Sequence, residues 1–76
     1  MILEHDCVVL TCDLPDLGLV RGDVGAVVHV HGQGAAFEVE FVTLSGDTVA
    51  IATLDAAQVR PVGRRDVTHV REIAAS

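Results

Sequence analysis

Residues 37–42 read Phe-Glu-Val-Glu-Phe-Val, with apolar and acidic side chains alternating over five positions. A period of two fits only a strand with one face buried and one face wet. The segment before it, Val24 to His31 (VGAVVHVH), repeats the period and lacks helical spacing, and residues 32–36 (GQGAA) supply a glycine-rich connection. An antiparallel hairpin is therefore expected. Pairing Gly32 with Phe37 places Val30 opposite Val39 and Val28 opposite Phe41 on the apolar face. The same register sets His31 opposite Glu38 and His29 opposite Glu40 on the other.

The rest of the chain carries the same grammar. Cys7 to Thr11 (CVVLT) is a short, β-branched run, and Asp13, Pro15, Asp16 and Gly18 open a long loop that reaches Arg21-Gly22-Asp23. Ser45-Gly46-Asp47 signals a tight turn before a fourth strand at Val49 to Leu54. A two-residue or a three-residue turn would pair that strand differently, so its register stays open. Asp55-Ala56-Ala57-Gln58 suits one 3₁₀ turn, and Val59 to Val62 a last short strand with Pro61 at a sheet edge.

The sum is an all-β chain of five short strands with no interior helix, the order of a small SH3-like barrel. With 76 residues there is room for one core. Phe37 and Phe41 are the only aromatic residues, so Val, Leu, Ile and Ala must fill that core. Gly25 is expected to serve a backbone bend in the second strand. The barrel is assigned to residues 1–62 and a C-terminal tail to 63–76. In the tail, Val67, Val70, Ile73 and Ala74 recur at helical spacing behind Asp66, a suitable N-cap. This predicts a short helix, packed on the barrel or ordered on contact with a partner.

Charge narrows the function. Five arginines and no lysine stand against eleven acidic residues, a net charge of −6, the wrong sign for neutralising phosphates. Nucleic acid is a poor default partner. Residues 1–62 hold nine acids against Arg21 and Arg60, whereas the tail holds Arg64, Arg65 and Arg71 against Asp66 and Glu72, which suits it to fold back on the body. No apolar run approaches membrane-spanning length, and Glu4, His5 and Asp6 occupy the place of a signal peptide's basic region. A cytoplasmic location is expected. Cys7 and Cys12, five apart on an extended segment, are expected to remain reduced thiols.

Four stretches carry a resemblance: the DLP turn at Asp13 to Pro15, GDVGAVV at Gly22 to Val28, EVEF at Glu38 to Phe41 and QVRP at Gln58 to Pro61. Over residues 3–62 the chain resembles a bacterial family of short proteins known as a domain of unknown function, DUF4926. The resemblance implies an SH3-like barrel and no established activity. It also implies genes in small operons, some with toxin and antitoxin character. It supplies no catalytic residues. GDVGAVV is similar as well to the glycine-containing motif of KOW domains, which share the barrel and bind RNA or protein. Those motifs surround the glycine with basic residues, where this chain has Asp23.

Three candidate sites follow. The acids Asp13, Asp16 and Asp23 of the first loop are suited to a basic protein partner, and the Val67, Val70 and Ile73 stripe offers a second contact surface. His29, His31, Glu38 and Glu40, gathered on the polar face of the hairpin, have the donor chemistry for a divalent metal; a solvated polar ladder is the simpler reading. No Tyr or Trp exists to line a proline-rich ligand groove, and no nucleophile has a base beside it. The expected function is a small cytoplasmic protein-binding module, no enzyme and without cofactor. It would be the antitoxin or accessory member of a bacterial two-gene system and bind the product of a neighbouring gene. The alternatives are a KOW-like RNA- or ribosome-associated module and a metal-binding accessory subunit. Homo-oligomerisation is compatible with each.

Overall fold

In the computed structural model, which describes residues 1–73, the strands are β1 (Cys7–Leu10), β2 (Val24–His31), β3 (Ala36–Val42), β4 (Thr48–Asp55) and β5 (Val59–Pro61). They form one antiparallel sheet in the order β4-β3-β2-β1-β5. The protein is all-β, and Pro61 lies on an edge strand as its missing N–H requires. Inward side chains from all five strands make the core: Val8 and Leu10 from β1, Val27 from β2, Phe37, Val39 and Phe41 from β3, Ala52 and Leu54 from β4, and Val59 from β5, with Leu19 added from the first loop.

The β2–β3 hairpin departs from the expected register. His31 pairs with Ala36, Val30 with Phe37 and His29 with Glu38. A bulge at Val28 then sets Val27 opposite Val39 and Ala26 opposite Glu40. The loop is residues 32–35, one residue shorter than the 32–36 connection expected, because Gly32, Gln33 and Gly34 all adopt positive φ and both Gly34 and Ala35 donate to the His31 carbonyl. The bulge reverses the inside–outside parity of β2. Val28 is exposed and Val27 is fully buried, the opposite of the alternation that places Val28 in the core.

That reversal points Gly25 inward. A Cβ there would lie 2.6 Å from Val39 Cγ1 and 2.9 Å from both Phe41 Cδ1 and the Glu40 carbonyl oxygen. Close approach of β3 thus requires glycine at this position.

Between β3 and β4 the Thr43 N–H donates to the Asp47 carbonyl at 2.8 Å, enclosing Leu44, Ser45 and Gly46, with Gly46 at φ 99°. The three-residue alternative is the one adopted, and it pairs Phe41 with Ala50 and Phe37 with Leu54. The 3₁₀ turn lies in the first loop, at Pro15–Leu17, and not before the last strand. Asp55 stays within β4. Its carboxylate accepts from Ala57 N–H at 2.9 Å, and its carbonyl accepts from Gln58 N–H at 3.0 Å, completing a single turn with nothing left to extend. Pro15, with φ already fixed, starts the 3₁₀ turn instead.

The tail is not helical over residues 66–73; Ala74 lies outside the described residues. Asp66 does not cap a helix, because its carboxylate accepts from Gly63 N–H at 2.6 Å and from both terminal nitrogens of Arg60 at 2.9 Å. Helical spacing is overridden by polar anchoring, and so short a helix is marginal in any case. The tail does fold back on the body, as an irregular strap. Cys7 and Cys12 are free thiols.

Candidate functional site

The first loop is built to hold a shape. Leu14 and Leu19 exchange backbone hydrogen bonds of 2.9 and 3.1 Å across the 3₁₀ turn, which Gly18 ends in the left-handed conformation at φ 71°. Leu19, buried to 2% exposure, drives into the core, a contribution of roughly 1.5–3 kcal/mol that ties the loop to the sheet. At the loop's base, Leu10 N–H donates to the Asp23 carbonyl and Gly22 N–H to the Leu10 carbonyl.

Within that frame the three acids differ. Asp13 accepts from Arg21 N–H at 2.8 Å and so braces the loop. Asp16 sits exposed in the 3₁₀ turn. Asp23 is the most enclosed, its side chain 17% exposed, and accepts from Val20 N–H at 2.9 Å.

Asp23 also receives the tail. Arg71 Nε donates to Asp23 Oδ1 at 2.8 Å and Nη2 to Asp23 Oδ2, while Nη2 reaches the Gly18 carbonyl at 3.1 Å. This is a two-pronged guanidinium–carboxylate pair, extended onto a backbone carbonyl. The Arg71 hydrogen bond holds the Asp23 carboxyl below its ordinary range, helped by Val20 N–H and opposed by burial, and the Arg71 guanidinium is raised in turn. Two of the three ion pairs among the described residues, Arg60–Asp66 and Arg71–Asp23, fasten the strap. Sequence reasoning missed Arg71, because its partner is 48 positions away; the only signal was the basic excess of the tail.

Beneath the strap runs a groove whose lining includes Val9, Val24 and Leu44 from the body and Val67, Val70 and Ile73 from the tail. Val9 faces away from Val8 and Leu10, is 6% exposed, and lies outside the core cluster. Val67 and Val70 remain open to solvent at 88% and 67%. The expected apolar stripe therefore has no helical face, and its residues edge the groove.

The polar face of the hairpin does not bring its four residues together. Glu38 lies opposite His29, with His31 Nε2 4.0 Å from Glu38 Oε2, and it accepts from Thr53 Oγ1. Glu40 lies opposite Ala26 and accepts from Thr48 Oγ1 at 2.8 Å. The rings of His29 and His31 meet edge to face, 4.6 Å between centroids. The register shift separates the expected His29–Glu40 pair. Among the described residues no group of three His, Cys, Asp or Glu side chains is disposed to hold a metal ion. Nor, among them, is any helix long and apolar enough to cross a membrane.

An all-antiparallel five-stranded sheet with a braced first loop and a strapped-down tail defines a small β domain. The family model of the domain of unknown function DUF4926 matches residues 4–61, most of the chain, and the protein belongs to that family. No curated protein and no solved structure matches it.

Proposed function

We propose that the protein is a small cytoplasmic protein-binding module built on an SH3-like barrel, without catalysis of its own, and that its partner is the product of a neighbouring gene in a two-gene system. The barrel reading is supported by a length argument. In a flat sheet of this order β4 and β5 would lie about 19 Å apart. Only Ala56, Ala57 and Gln58 join Asp55 to Val59, a reach of about 14 Å at most, which a flat sheet would exceed and which supports a sheet that curls.

The observation that carries the binding role is the first loop: an acidic segment held rigid by Leu19 and by its own backbone bonds, on a body dominated by acids. The antitoxin or accessory role extends the family resemblance and rests on it. A basic partner drawn by this loop should associate more slowly as salt screens the charges. Surface plasmon resonance with the neighbouring gene's product, at two ionic strengths, tests it. The D13N/D16N/D23N variant keeps side-chain size and should lose association rate while remaining folded. Equal on-rates for variant and wild type, indifferent to salt, would place the interface elsewhere. Sub-micromolar RNA affinity in a filter-binding assay would favour the KOW-like alternative instead.

A further inference from the structure

The strap pairs Asp66 and Arg71 with the body and leaves Val67 and Val70 uncovered. Arg71 is held through Nε and Nη2 by Asp23 and Gly18, yet Val67 and Val70 stand open, and the groove beside them keeps Val24 and Leu44 exposed. A segment that bound here for its own sake would bury those flanks as well. The fastening hangs on one guanidinium, so a second guanidinium offering the same bonds can exchange with it. We propose that Arg71 is a resident stand-in, and that the groove's ligand is an arginine-bearing, extended segment of the protein partner. That segment's guanidinium displaces Arg71 from Asp23 and the Gly18 carbonyl while its apolar neighbours cover Val24 and Leu44.

This rests on the protein-binding reading and gives it a ligand chemistry and a built-in restraint. Asp23 and Gly18 present a carboxylate and a carbonyl in the fork geometry that a guanidinium fills and an ammonium does not. The acidic body draws a basic segment in. While the tail occupies the site, an incoming ligand sees only the fraction of molecules whose strap is open. If the strap is closed about nine-tenths of the time, freeing it tightens binding about tenfold.

The test uses the full chain and a fluorescent peptide with the sequence of residues 66–73, followed by anisotropy. Wild type should bind weakly, R71A about tenfold more tightly, and R71K in between, because lysine keeps charge without the fork. R71A/D23N should lose the gain, as should the peptide carrying R71A. A thermal melt of each variant confirms the fold. No gain in the R71A chain, or equal binding of the arginine-free peptide, overturns the proposal. A concentration-dependent wild-type dimer that dissociates in R71A, seen by light scattering, also overturns it, by assigning the groove to the tail of a second copy.

The two readings fail separately. A peptide gain in R71A, combined with partner association at an unchanged rate in D13N/D16N, which keeps Asp23, removes the loop's other acids as partner site and keeps the arginine site. Salt-dependent partner binding without the peptide gain does the reverse.

Discussion

At Asp66 a single carboxylate answers to both Arg60 and the Gly63 N–H, and the Arg60 hydrogen bonds are the larger reason its carboxyl is lowered to about 2. Its ordinary value in an unfolded chain is about 3.9. A depressed carboxyl stabilises the anchored form above the unfolded value and stops doing so as pH falls through the folded one, so the Asp66 anchor should release between about pH 4 and pH 2. Carboxyl NMR titration should give a midpoint of about 2 in wild type, moving up toward about 3.9 in R60A; an unmoved midpoint would assign the shift to some other neighbour. Gly25 makes a different demand. An added methyl would meet Val39 and the backbone of Glu40, which cannot step aside as the end of a long side chain can. G25A should therefore cost about 1–3 kcal/mol in urea unfolding, with an unchanged slope. A cost near zero would mean β2 and β3 can separate locally.

The strands were legible where side chains alternate. β2 has the expected bounds, β3 begins one residue earlier and β4 runs one residue further at each end, because period-two burial is written into the order of apolar residues. The Val28 bulge was not legible, since Val27 and Val28 are the same side chain and either satisfies the core until Gly25 is placed beneath Phe41. The tail misled for a related reason. Val67, Val70 and Ile73 have helical spacing, but Asp66 turns to Arg60, six positions back, and Arg71 to Asp23, 48 positions away, a pairing too distant to leave a local pattern. Of the candidate site, the loop acids were legible as turn residues and charges, while the cation that fills one of them was not. Among the described residues, no member of the core cluster lies beyond Val59. Deleting residues 63–76 should accordingly leave cooperative unfolding, at a loss of no more than about 2 kcal/mol as the outer face of Val9 is uncovered. A broad, non-cooperative transition in urea would make the strap part of the fold's foundation.

For the molecule as a whole, the body and the tail divide the work: the sheet supplies a stiff platform, and the strap supplies a cover whose fastenings are ionic. Partner binding, salt and low pH should all act first on the strap, and backbone amide exchange should show residues 66–73 protected less than β1, β2 and β3. Protection of the strap equal to that of the strands would mean the tail opens only when the whole domain does. The pairing of β1 with β5 has a mechanical side. Val8 lies opposite Pro61 and Leu10 opposite Val59, so the chain enters β1 and leaves β5 at the same corner of the sheet. A pull applied between those two points loads the ladder one rung at a time, peeling it open, whereas strands drawn past each other lengthwise would share the load across every rung. To an unfoldase tugging on the tail, the domain offers a tear strip: β5 comes away first, and with it the edge that β1 needs to stay in place.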